Sequence, residues 1–284
     1  MGSVCILTDS SAQFTKPNFP GHELVNLVSL DVELAGQIYH NGREIKASNL
    51  PANVNNGQDP ALLAPSIEDL RQIYLSLGQT YNEVVAIFLS SKLNPTHLAA
   101  LKAAETVRGR LAIQVIDSQT ISIGLGSLVQ AAAEAAAHGA RATEIERLLR
   151  GLIPHIYTVF CIPGLSYLYH AGFLGEAQAY VGEMLNLLPI FTLEEGNLTS
   201  LEKARNMRHL TDFFQEFLDE FSDLYHIALV QSIPPMAHEA RTLREHAADL
   251  FPNTPFSEHP IGLSMATMFG PRCFGLFAME TPPE

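Results

Sequence analysis

The side chains able to do chemistry are scattered along this chain rather than clustered. It has eleven histidines and three cysteines in 284 residues. His238-Glu239 is followed by His246, whereas a zinc-binding helix needs two histidines four apart to present both to one metal. Gly164-Leu165-Ser166 lacks the second glycine of a nucleophile elbow, so nothing forces its serine onto a strained, exposed turn. Gly124-Leu125-Gly126 stands where a dinucleotide loop would, but the third glycine position is Val129 and no acidic residue ends a suitable next strand. Cys5, Cys161 and Cys273 are odd in number, far apart and set in apolar stretches, which suits small hydrophobes better than a disulfide or metal framework. No catalytic set, metal site or cofactor motif emerges. The informative polar residues are instead Thr8-Asp9-Ser10-Ser11, Ser90-Ser91 and Asp117-Ser118, each at the end of an expected strand. Ligands of open parallel sheets bind at such carboxyl ends, although the same residue types also cap turns and helices there.

The elements that carry these residues alternate as short β-branched runs and longer helical patterns, the mark of an α/β chain with a largely parallel sheet. Strands are expected at Val4–Thr8 and over Leu24–Leu34, the latter folding back through Ala35-Gly36 onto Gln37–Tyr39. Lys46 to Pro65, with three prolines and the Asn55-Asn56-Gly57 turn, reads as loop. Ser66 and Asp69 then cap a helix over Ile67–Leu77. Strand Glu83–Leu89, helix Thr96–Val107, strand Leu111–Ile116 and helix Leu128–Ala137 follow, and Thr143 with Glu146 forms a capping box for a helix ending before Pro154. Beyond it come strand Ile156–Ile162, helices Leu165–His170 and Ala177–Leu187, and a hairpin of Ile190–Leu193 and Leu198–Leu201. Helix Asn206–Phe221, strand Ile227–Gln231, helix Met236–Phe251 and strands Phe256–Pro260 and Cys273–Ala278 complete the series. The expected division is an N-terminal α/β lobe, 1–154, and a C-terminal mixed α/β lobe, 155–284.

Composition removes several classes of function. With 47% hydrophobic and 17% charged residues the chain can bury a large core. A formal charge of −13, spread along its length, opposes a phosphate-backbone partner and predicts no nucleic-acid binding. No apolar run approaches the roughly 18 residues of a membrane span, so no membrane insertion is expected. The start has no cationic stretch before its apolar run, so a secretory signal is not expected, and Ile6 occupies the Ser/Thr position of a myristoylation signal; the odd, scattered cysteines make the cytoplasm the expected compartment.

Six segments carry a family resemblance. LTDSSAQF, FLSSKLNPTHLAALKA, IDSQTISIGLGSL, GLSYLYHAGFLG, LLPIFTLEEGNLTSLEKAR and IGLSMATMFGPRCFGL resemble, in order, successive signatures of the DegV family. The resemblance implies two α/β lobes with a long-chain fatty acid in a tunnel between them. It also implies a carrier with no active site, which in some members presents its lipid to a separate fatty-acid kinase. The lipid-binding positions it indicates are Leu62, Ser90, Ser91, Asn94, Thr96, Phe173, Thr267, Met268 and Arg272. Several depart from the family pattern: Leu62 replaces the threonine of TSQPS, Asn94 the serine of SSxLSGT, Met268 the histidine of GTHxGPG, and Phe173 the arginine of GGRI. Pro95 has no amide hydrogen to donate.

These substitutions set an expectation about the head group. An acyl tail gains roughly 0.8 kcal/mol per buried methylene, whereas a hydrogen bond to a charged carboxylate adds about 1.5–3 kcal/mol. An apolar grip survives the changes, but a carboxylate among Leu62 and Met268 needs a new partner. Arg272, at the last glycine of the GPG turn, is the cation available for it, with Thr96 and Thr267 as neutral donors. Two other readings stand beside the lipid carrier. One is a small-molecule enzyme or phosphocarrier using His97, because the first lobe resembles sugar-phosphotransferase and dihydroxyacetone-kinase domains. The other is a degenerate family member that acts only through protein interactions.

Overall fold

A computed structural model describes residues 4–40, 44–54 and 59–281. The Asn55-Asn56-Gly57 turn and the start of the chain lie outside the described residues. In chain order the strands are β1 (Val4–Asp9), β2 (Val25–Val28), β3 (Asp31–Leu34), β4 (Gln37–Tyr39), β5 (Ala61–Leu63), β6 (Glu83–Phe88), β7 (Ala112–Asp117), β8 (Ile156–Cys161), β9 (Leu188–Glu194), β10 (Asn197–Ala204), β11 (His226–Gln231), β12 (Phe256–Pro260) and β13 (Phe274–Met279). The helices are α1 (Ile67–Leu77), α2 (Thr96–Thr106), α3 (Ile123–Ala137), α4 (Ala142–Leu152), α5 (Leu165–His170), α6 (Glu176–Met184), α7 (Met207–Asp219), α8 (Ala237–Leu250) and α9 (Leu263–Phe269). The chain divides into two compact units. The first comprises 1–31, 63–154 and 195–197, and the second 32–62, 155–194 and 198–284. A single cut after residue 154 therefore leaves out two crossings: segment 32–62 packs with the second unit, and the β9–β10 turn with the first.

The first unit is built on a four-stranded parallel sheet of order β2-β1-β6-β7. Strands buried on both faces read as continuous apolar runs rather than alternating ones, which is what VCIL and VVAIF are. Cys5, Leu7, Val84, Ala86 and Phe88 face Leu70 and Tyr74 of α1 and Ala100 and Ala103 of α2. The alternate residues Ile6, Val85 and Ile87 are equally buried on the side where α3 and α4 pack. Helix α1 starts as expected, with Ser66 accepting from the Asp69 amide and Asp69 returning to the Ser66 amide.

The second unit holds a six-stranded mixed sheet of order β10-β9-β8-β13-β11-β12, in which only β11 and β12 run parallel among the registered pairs. One face carries a core of Val159, Cys161, Leu229 and Leu276 with Phe214 of α7 and Leu243 of α8. On the other face Phe160 meets Phe277 and Phe269, so α9 covers that side. A small sheet of order β4-β3-β5 completes the unit. No helix among the described residues is long and apolar enough to cross a membrane.

Four local expectations change. The run Leu24–Leu34 is two strands in different sheets, because the chain turns where the Leu30 amide donates to Ser10 Oγ. Helix α3 begins at Ile123, placing Gly124 and Gly126 inside the helix. The Thr143/Glu146 capping box does not form: α4 begins two residues earlier, with Arg141 at the N-cap, and the Glu83 carboxylate of β6 accepts from the Ala142 amide at 2.7 Å. Helix α9 and strand β5 were not foreseen. Six of the seven residues of α9 are buried, so it has no polar face to reveal a 3.6-residue period.

Candidate functional site

The three hydroxyl-rich strand ends of the first unit meet. Asp9 is wholly buried at the end of β1, and its two carboxylate oxygens accept from the Ser11 and Leu89 amides, both at 2.8 Å. Burial pushes the Asp9 carboxyl above its usual range, with the hydrogen bonds pulling back. Asp117 Oδ1 accepts from the Ser91 and Gln119 amides, each at 3.1 Å. The Ser90 amide donates to Thr120 O, and the Ser118 amide to Phe88 O. Ser90 Oγ donates to Gly196 O at 2.8 Å, tying in the 195–197 turn. The ends of β1, β6 and β7 thus form one network, with backbone strain beside it: Gln119 and Ser122 hold φ of 54° and 58° without being glycine. Thr8 Oγ1 and Thr120 Oγ1 are buried there without a hydrogen-bond partner.

The remaining first-unit candidates turn inward on themselves. Asn94 is buried, and its Oδ1 accepts from the Thr96 amide at 3.0 Å and from Thr96 Oγ1 at 2.6 Å. Asn94 thereby opens α2 as an Asx turn, a job for which a serine or an asparagine is equally suited. The one hydroxyl hydrogen of Thr96 is already given. Next to it, His97 Nδ1 is buried without a partner, and burial lowers the imidazole pKa while Asp117 draws it back up. His97 lines a cavity of about 380 Å³ with Leu101, Val115, Asp117, Gln119 and Arg150. Among the described residues no nucleophile is hydrogen-bonded to its ring.

In the second unit the candidates differ in character. Leu62 is half-buried on β5, Met268 is buried in α9, and Phe173 packs its ring against Phe269 at 6.4 Å. Thr267 Oγ1 donates to Leu263 O one turn back at 2.9 Å, so its hydrogen too is committed. Arg272 follows the left-handed Gly270 and is half-buried, not the surface residue a turn would lead one to expect. Its Nη2 donates to Asn53 Oδ1 at 2.5 Å, while its Nε is buried with no partner. The guanidinium charge reaches two neighbours whose acidity burial otherwise suppresses: the Cys161 thiol, pushed up to about 12, and the Tyr167 phenol, also raised. Tyr167 Oη donates to Pro51 O and Ser166 Oγ accepts from the Val54 amide, so α5 holds the loop that bears Asn53.

Within its own unit each set is brought together: Ser90, Ser91, Asn94 and Thr96 in the first, Met268, Thr267, Arg272 and Phe173 around α9 in the second. Sequence reasoning missed Thr120, Asn53 and Tyr167. Thr120 lay within a quoted motif, but nothing in its type distinguished it from a turn residue. All three cysteines are free and buried. Among the described residues no group of three or more metal-ligating side chains forms.

Comparison with known proteins gives a consistent result. A family model described as "Uncharacterised protein, DegV family" matches residues 3–281. A DegV domain-containing protein of Caldanaerobacter subterraneus is 28% identical over 99% of this chain and 100% of its own. Among solved structures, a fatty-acid-binding DegV family protein from Thermus thermophilus matches with a TM-score of 0.83 and 25% identity, over 98% of this chain and 100% of its own. The fatty acid kinase B3 protein of Streptococcus pneumoniae, solved with linoleic acid, shares the fold at TM-score 0.83 and 16% identity, over 98% and 100%. With a parallel sheet, a mixed sheet and the six signatures in order across residues 3–281, this chain belongs to the DegV family.

Proposed function

We propose that this chain binds a long-chain fatty acid or a related lipid without transforming it, in an apolar tunnel of the kind the family resemblance implies. The likeness to the Thermus thermophilus fatty-acid-binding protein supports the ligand class. The observation that carries the reading in this chain is Arg272, a permanent cation whose Nε is buried and unsatisfied in a unit where Leu62, Phe173 and Met268 stand at the other anchor positions. An unsatisfied buried guanidinium donor is costly, and an anionic head group is the chemistry that relieves it. The tail supplies most of the affinity, at about 0.8 kcal/mol per methylene. In this reading Arg272 holds the carboxylate, while Thr96 and Thr267 shape their helices. The protein works in the cytoplasm and offers the lipid to a partner fatty-acid kinase that acts on the carboxylate.

Native mass spectrometry tests the proposal. The purified protein is expected to carry one lipid per chain, and the delipidated protein to rebind one hexadecanoic acid. No adduct before or after recharging overturns it. The enzymatic reading has one observation in its favour, the unpartnered His97 Nδ1 facing a cavity beside Asp117. Turnover of acyl substrates that survives purification and vanishes in His97→Ala would replace the carrier with an enzyme.

A further inference from the structure

Strand β7 ends the parallel sheet of the first unit. Its pairing with β6 runs from Glu83↔Ala112 to Phe88↔Asp117, and no strand lies on its other side among the described residues. An edge of this kind presents a row of unpaired N–H and C=O groups, a template for another strand. Proteins usually cover such an edge, and here no strand among the described residues does so. A cavity of about 740 Å³ follows residues 111–115 of the edge, between Leu101, Ala104 and Glu105 of α2 and Glu146 and Arg150 of α4. It shares Leu101, Val115 and Arg150 with the 380 Å³ cavity beyond, which continues past Asp117 to His97. The groove thus accompanies the six residues of β7, roughly 20 Å of extended chain at about 3.3 Å per residue.

Its walls alternate as a strand requires. Ile113 and Val115 pack toward the α2 side, leaving Gln114 and Ile116 for the α4 side. Its charge is balanced in a molecule that is strongly acidic. The chain has 17 Lys and Arg against 30 Asp and Glu, yet the groove is lined by Arg108, Arg110 and Arg150 against Glu105, Glu146 and, at its far end, Asp117, whose Oδ1 already accepts from the Ser91 and Gln119 amides. Arg150 is paired with Glu146, but Arg108 and Arg110 are exposed and have no ion-pair partner among the described residues. Cations beside an open edge oppose pairing with a second, identical edge and favour a strand of opposite charge.

We propose that the open edge of β7 is a docking groove for an acidic, extended segment of a partner protein, which adds to the parallel sheet as a fifth strand. Backbone hydrogen bonds to β7 give affinity, alternate apolar side chains enter between α2 and α4, and carboxylates meet Arg108 and Arg110. This site is independent of the lipid reading.

The probe is a capped nine-residue peptide alternating valine or threonine with glutamate, added at millimolar concentration to the full chain. Hydrogen exchange is expected to slow at the amides of 112–117, with binding that weakens as salt rises. The double variant Arg108→Glu/Arg110→Glu should lose about tenfold in affinity or more. A peptide with lysine for glutamate should bind no better than that variant binds the acidic one. A peptide N-methylated at alternate residues should not bind, because it cannot extend the ladder. The proposal is overturned if the acidic peptide leaves 112–117 unprotected, or if the N-methylated peptide binds equally well. It is also overturned if sedimentation shows a dimer that Ile113→Lys dissociates, which would make the edge a contact between copies of this chain.

Discussion

Replacing Arg272 with alanine separates a head-group anchor from a turn residue. Of the five guanidinium donors, one on Nη2 is spent on Asn53 at 2.5 Å, and the Nε–H is buried with nothing to bond. A carboxylate that accepts from Nε and an adjacent free N–H gains a charge-assisted, bidentate contact. Arg272→Ala should therefore weaken hexadecanoic acid by about 1.5–3 kcal/mol, or about 10- to 150-fold. Hexadecanol affinity should stay nearly unchanged, because the alcohol brings no charge. Truncation also removes the apolar stem of the side chain, but that loss falls on both ligands alike and cancels in the comparison. Arg272→Lys should recover part of the acid affinity, since the charge returns without the planar fork. Asn53→Ala removes the competing acceptor, so acid binding should hold or tighten. Thr267→Val should leave the acid unaffected, because its hydroxyl hydrogen already goes to Leu263 O. Calorimetric titration of both ligands against these variants decides the matter. Equal losses for acid and alcohol would mean that Arg272 shapes the turn after Gly270, and no loss for either would refute the anchor outright.

The fold makes three further predictions. Asp9→Ala strands the buried Ser11 and Leu89 amides and should cost about 2–4 kcal/mol in urea unfolding, after the relief of desolvating the carboxylate; a loss under about 1 kcal/mol would contradict the network. A Cβ at Gly126 would stand 1.9 Å from Gln13 O, so Gly126→Ala should lose about 3 kcal/mol or yield no soluble protein, while Gly151→Ala in α4, with nothing within 4 Å, should be neutral or slightly stabilising. Burial lowers the pKa of His97 and of His259, so the unfolded chain takes up protons first as pH falls. The stability they contribute is full above about pH 6.5 and falls below it. Urea midpoints should drop from pH 7.5 to 5.5, and a His97→Gln/His259→Gln variant should show a flatter profile.

Most of the fold was legible because the first sheet is buried on both faces. Runs such as VVAIF, short, rich in β-branched residues and apolar at every position, suit a strand buried on both faces, and Ser66 with Asp69 marks the start of α1 at the residue where it begins. Legibility failed where a distant side chain supplied what a local one was expected to give. Glu83 of β6 caps α4 in place of Thr143, and Ser10, just after β1, ends the run before Leu30. Neither partner is visible within the window of a local motif. The same limit governs the site. Type alone marks Thr96 and Thr267 as donors, but a hydroxyl has one hydrogen, and in both residues it is given to a neighbour. What matters is the residual: the donors left over after the protein has bonded to itself. Among the described buried side chains that residual is Thr8, Ser11, Thr120, His97 and the Nε of Arg272, and only the last carries a fixed charge. For an anionic ligand a leftover charged donor outweighs several neutral hydroxyls, since its hydrogen bonds are about twice as strong. In the proposed reading the apolar residues at positions 62, 173 and 268 leave carboxylate binding to a single arginine, where one substitution tests it.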